Sequence, residues 1–173
     1  MKIGVVLRMN EGYRVCRALK SVLNNIGLGI KAKKCLYKGV ITPTALYGAE
    51  AWGMRSAERR KLNVLEMKWL TSLVGVSRMD RVRNEEVHMR AGIGREFASR
   101  ADRKVLGWFG SHVERMDEYR MARRVLMAGV SGIQASGKSR LGWMDGVKVA
   151  LRNRGLTRQC ARDRKEWRAM VHL

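Results

Sequence analysis

The chain has 173 residues and a formal net charge of +21 at pH 7, from 36 Lys and Arg against 15 Asp and Glu. That length suits one domain or two small packed halves, and 46% hydrophobic with 29% charged residues excludes both a disordered tail and a membrane-embedded chain. Residues 1–86 carry 17 basic and 7 acidic side chains and residues 87–173 carry 19 and 8, so the excess belongs to the whole body and points to a polyanionic partner, nucleic acid before any membrane surface.

One proline in the chain, with apolar residues recurring at spacings of three and four, predicts an all-α fold of stacked helical hairpins, about six to eight helices and no substantial sheet. A first helix is expected over residues 11–25, with Val15, Leu19 and Val22 on one side and Gly27 and Gly29 at its exit. A second starts near Ile30 with Tyr37, Val40 and Ile41 on one face, and must kink or restart at Pro43, which lacks an N–H and crowds the preceding turn. Ser56 can cap a third helix, with Glu58 in its first turn and a stripe of Leu62, Leu65, Trp69 and Leu73 running to Gly75. Asn84 is a cap for a short helix. The next helix, residues 95–116, places Phe97, Ala101, Val105, Trp108 and His112 on one face. Met121, Val125 and Leu126 mark another short piece. Gly129 to Ser139 is the Gly/Ser-rich stretch expected to be a linker, followed by helices over 143–153 and, capped by Thr157, over 158–171.

Chemistry-bearing patterns are few. Gly132 to Ser139 matches G-x4-G-K-[ST] letter for letter, but a phosphate loop needs a buried strand before it and a helix directly after it. A basic helical segment precedes it and Arg140 and Leu141 follow, so the stretch reads as a flexible basic linker. His88, His112 and His172 are far apart and no Cys-x2-Cys pair occurs, which leaves no locally assembled metal site. His112 reads as a core or helix-end histidine. Cys16, Cys35 and Cys160 are widely spaced and odd in number, as expected of reduced thiols, and the first apolar run, Ile3 to Leu7, is too short for a secretion signal. An intracellular location, nucleus or cytoplasm, is the expectation.

What remains is a set of basic helical faces. Lys31, Lys33 and Lys34 open the second helix, Arg59 and Arg60 the third, Arg103 and Lys104 sit mid-helix, and Lys138, Arg140, Lys148 and Arg152 surround Trp143. Side chains of this kind reach phosphates and gain from counterion release without reading sequence. The tryptophans Trp69, Trp108, Trp143 and Trp167 fall on apolar stripes and are expected in the core.

Certain blocks go further. They are Leu46-Tyr47-Gly48-Ala49-Glu50-Ala51-Trp52 after Pro43, Arg81 to Glu86, Leu106 to Met116, Gly137 to Asp145, and Trp167. In this order they resemble the region just C-terminal to the polymerase core in reverse transcriptases of non-LTR, LINE-like retrotransposons, notably those encoded with an endonuclease. The chain departs from that pattern at Ser111, which splits a Gly-His pair, and at Ser139, where the family has proline. An inserted residue rotates everything after it by about 100° if the helix continues.

The resemblance implies a thumb-like helical region over 1–80, a helical connector over 81–130, a basic linker over 131–142 and a C-terminal helical pair over 143–173. In an RNA-directed DNA polymerase this region would grip template-primer duplex, by backbone shape and charge rather than base identity. The expected partner is RNA, DNA or their hybrid, together with the palm of the parent polyprotein. Magnesium would serve the intact enzyme through paired palm aspartates, and no Asp-Asp pair occurs in these residues. A fragment without a metal or cofactor site, inactive as a polymerase by itself, is therefore expected. Carried over position by position, Tyr47, Glu50, Trp52, Trp143 and Asp145 receive structural roles. The competing readings are an independent basic helical scaffold that binds RNA or DNA, and a phosphate-loop ATPase.

Overall fold

Helices follow from the apolar spacing along almost the whole chain, and the computed structural model, which describes residues 2–25, 27–94, 96–127 and 142–172, is all-α with no strand among those residues. The contacts divide the chain into two units, Met1–Gly48 with Ser56–Arg100, and Ala49–Arg55 with Ala101–Leu173. The division falls one turn into a helix, because side chains from distant segments close each core.

In the first unit, α1 (Lys2–Ala18) begins earlier than expected, and α2 (Lys20–Leu23) follows. The second predicted helix runs as α3 (Ile30–Leu36), a π-helical turn over Tyr37–Ile41, and α4 (Thr42–Ala45). Pro43 has no N–H and its ring would crowd the carbonyl four residues back, and the wider turn accommodates it, with Thr42 N–H donating to Tyr37 O. The long helix α5 (Ser56–Val74) buries the expected Leu62, Leu65, Trp69 and Leu73, and adds Leu70 and Glu66. It ends at Gly75 with φ +71°, a left-handed exit that glycine adopts without strain. A 3-10 turn at Arg78–Asp80 and α6 (Asn84–Ala91) complete the unit. The turn is closed at both ends, Ser77 N–H donating to Asp80 Oδ2 at 2.7 Å and Met79 N–H to Ser77 Oγ at 3.1 Å.

A buried carboxylate organises this unit. Glu66 has 0% exposure; Tyr37 O–H donates to its Oε1 at 2.5 Å, and Phe97 N–H to its Oε2 at 2.6 Å. Asn63, one turn earlier on α5, accepts from Ala98 N–H at 3.0 Å and donates to Glu96. Two side chains of α5 thus cap the free N–H groups that open α7 (Phe97–Ser111). The Arg100 guanidinium lies 3.9 Å from Glu66 and 5.6 Å from the centre of the Tyr37 ring. Burial outweighs these donors and pushes the Glu66 carboxyl above its usual range, and burial beside Glu66 raises the Tyr37 hydroxyl.

The second unit is built from α7 after Arg100, α8 (Met121–Met127), α9 (Trp143–Asn153), a 3-10 turn at Arg158–Arg162, α10 (Arg164–His172) and the segment Ala49–Arg55. Its core is Val105, Leu106, Phe109, Val113, Val147, Ala150, Leu151, Ala161, Trp167 and Val171. The helix predicted over 158–171 is broken at Asp163, whose Oδ1 accepts from Lys165 and Glu166 N–H at 2.7 and 2.9 Å and so caps α10. Gly110 lets α7 pass directly over the Trp167 indole, which a Cβ there would overlap. Trp167 Nε1 donates to Leu106 O at 3.1 Å.

Candidate functional site

The two most specific sequence blocks meet in the second unit. Trp143 Nε1 donates to Glu50 O at 2.8 Å, across 93 residues of chain. One turn further along α9, Gly146 packs on Gly53, where a Cβ would stand 2.7 Å from Gly53 Cα. Asp145 Oδ2 accepts from Gly142 N–H at 2.9 Å and closes the start of α9. Trp52 is 8% exposed. Four of the motif residues thus hold this unit together: Glu50 through its carbonyl, Trp143 through its ring nitrogen, Asp145 as a cap and Trp52 by burial. Tyr47 belongs to the first unit and is exposed, with the Arg8 guanidinium 4.5 Å from its ring centre.

Above this framework the second unit carries a groove of about 690 Å³ between the side chains of α7 and α10. Arg103, Lys104 and Trp108 line it from α7, His112 from just beyond its end, Arg168 and His172 from α10, and Glu50 is the one acidic residue of the lining. Trp108 was expected in the core and is instead 36% exposed. Its ring stands edge-on to Trp143, centres 5.3 Å apart at 83°, so an aromatic wall is braced by the same Trp143 that binds Glu50 O. His112 sits just past the last turn of α7, exposed at the groove rather than in the core. Sequence reasoning found Arg103 and Lys104 and missed Arg168 and His172. Their signal was available: Arg168 follows Trp167, and His172 lies four residues on, on the same helical face.

In the first unit, Arg60 and Lys61 of α5 line a second groove, about 480 Å³, with Lys68, Met9 and Val64. Lys31 is exposed, Arg59 half-buried. Lys34 is half-buried, and its ammonium lies where a Cβ on Gly92 would stand. Lys33 is a correction to the basic set, being only 9% exposed; its position one turn before Tyr37 and two before Ile41 places it on their buried face. In the second unit Lys148 and Arg152 project from α9 into solvent, Lys148 3.7 Å from Asp145. Lys138 and Arg140, with the whole Gly132 to Ser139 pattern, lie outside the described residues.

Among the described residues no three His, Cys, Asp or Glu come together as a metal site. No described helix is long and apolar enough to cross a membrane. In the second unit the described residues assemble a groove lined by cations and an aromatic ring. No family model matches the chain, and neither does any curated protein or solved structure.

Proposed function

We propose that the chain is a nucleic-acid-binding part of a retrotransposon RNA-directed DNA polymerase, which grips template-primer duplex without itself carrying the paired aspartates that perform the chemistry. The observation that carries this reading is the division of labour within the resembling blocks. Their aromatic and acidic members, Trp52, Trp143 and Asp145, are spent on packing, hydrogen bonding and capping. The cations are left at the surface of a body whose net charge is +21. Lys31, Arg60 and Lys61 of the first unit and Lys104, Lys148 and Arg152 of the second are all exposed. Such an arrangement binds phosphates and is indifferent to sequence.

The test is a salt titration of binding to blunt duplex DNA and RNA:DNA hybrid by fluorescence anisotropy. If about 6 to 10 phosphates are engaged, affinity falls about 10³- to 10⁵-fold between 50 and 200 mM salt. Reversing the charges of Arg103, Lys104, Lys148 and Arg152 should weaken binding equally across sequences and flatten the slope. Salt-insensitive binding, or one strong sequence preference, would overturn the proposal in favour of a scaffold with a specific partner.

A further inference from the structure

Phosphate binding along helical faces gives no reason for a tryptophan to be held half out of the core. Trp108 is 36% exposed in the groove of the second unit, and it is fixed there by its edge-on contact with Trp143, whose indole is itself tethered to Glu50 O. An anchored ring loses little freedom when a second ring lies on it. Cations surround it: Arg103 and Lys104 lie on the same helix, and Arg168 faces them from α10.

The chemistry of the lining narrows the ligand. A groove that took only an inorganic anion would have no use for the Trp108 ring, and Glu50, the one acidic residue of its lining, disfavours a polyanion that fills the whole space. A ligand with a neutral flat ring and a phosphate on a short tether satisfies both halves, the ring against Trp108 and the phosphate among the cations. Bases inside a duplex are stacked on each other and have no free face to offer, whereas an unpaired base has two. The volume, about 690 Å³, is in the range of small-molecule sites.

We infer that this groove binds an unpaired nucleotide of single-stranded nucleic acid, with its base stacked on Trp108 and its phosphate held by Arg168 and Lys104. The inference rests on the nucleic-acid reading above and adds a site that distinguishes strand from duplex.

The experiment compares an eight-nucleotide single strand, an abasic strand of equal length, and a blunt RNA:DNA hybrid, each fluorescein-labelled, at one salt concentration. The abasic strand keeps every phosphate and loses every ring. Wild-type chain should bind the natural strand more tightly than the abasic one by about 5- to 150-fold, the effect of one stacked base. Trp108→Ala should remove that ratio while leaving affinity for the blunt hybrid within about twofold, and Trp108→Phe should restore most of it. Arg168→Glu should weaken natural and abasic strands alike. A far-ultraviolet spectrum and melting curve establish that each variant is folded. Equal wild-type affinity for natural and abasic strands would overturn the inference, as would a Trp108→Ala variant that lost hybrid binding in the same proportion. In both cases salt-dependent hybrid binding by the wild type would leave the proposed function standing. Failure to bind any of the three ligands would instead sink that function as well.

Discussion

Replacing Glu66 tests how the first unit is held together. Its two carboxylate oxygens accept from Tyr37 O–H at 2.5 Å and Phe97 N–H at 2.6 Å, at 0% exposure. Glu66→Ala leaves both donors buried without that acceptor, at about 1–3 kcal/mol each, and takes the carboxylate away from Arg100, whose side chain is 14% exposed. Together with the cavity, a loss of about 3–5 kcal/mol is expected, a large part of the total stability of a domain of this size. Glu66→Gln keeps an oxygen for Phe97 N–H and offers an amide to the Tyr37 hydroxyl, so it should cost far less. The pH dependence separates the two effects. Burial raises the Glu66 carboxyl in the folded state, so between the unfolded value, about 4.3, and the raised one, the folded chain holds a proton that the unfolded chain has lost. Its contribution is fully present below about pH 4 and is lost as pH rises through the raised value. The stability of wild type relative to Glu66→Gln should therefore fall as pH rises above about 4 and level off once pH has passed the raised value. Urea denaturation followed by far-ultraviolet circular dichroism, at a series of pH values, measures this. The argument fails if Glu66→Ala is as stable as wild type, or if the advantage over Glu66→Gln grows with pH.

Gly110→Ala should destabilise the second unit by about 1–3 kcal/mol, since its Cβ overlaps the Trp167 ring. Gly107→Ala, three residues earlier with nothing within 4 Å of the added carbon, should stabilise α7 by about 0.5–1 kcal/mol; thermal melts of the pair decide whether close approach or helix propensity governs. Trp143→Phe deletes the indole bond to Glu50 O, 2.8 Å long, and should cost about 1–3 kcal/mol in chemical denaturation, with base-dependent binding reduced because Trp108 loses its brace. No cost in that variant would mean that the contact between the two sequence blocks is incidental.

The parts of the fold legible in the sequence were those fixed by a single period. The α5 stripe of Leu62, Leu65, Trp69 and Leu73 is buried as read, and Pro43 distorts its helix where its missing N–H requires. Glu66 was not legible, because a carboxylate inside an apolar stripe looks like an outward charge until its partners are known. Those partners, Tyr37 and Phe97, lie 29 and 31 residues away. Trp108 was misread for a different reason. At about 100° per residue it falls in line between Phe97 and Ala101, both buried, so one straight stripe would bury it too. Further along α7 the buried set becomes Val105, Leu106, Phe109 and Gly110. The buried face turns around the helix as its neighbours change, and Trp108 is left at the groove. A periodicity fitted over the whole helix averages two faces into one.

Under the proposed function Ser111 would count as an insertion, and the local structure is one that would absorb it. An extra residue within a continuing helix would swing Val113 and Arg115 by about 100° away from their places. Here α7 ends at Ser111, and the chain bends at His112, φ −123° and ψ −57°, into the 3-10 turn Val113–Arg115. Val113 is 0% exposed and its carbonyl accepts from Arg123 at 2.8 Å. Arg115 reaches back to Gly110 O and across to Arg162 O at 3.4 Å, so a carbonyl left without an intrahelical partner at the helix end is satisfied by a side chain. Register is not transmitted past a helix end whose orphan carbonyls are capped from outside. The bend is confined to one residue, His112, which lines the same groove as Trp108.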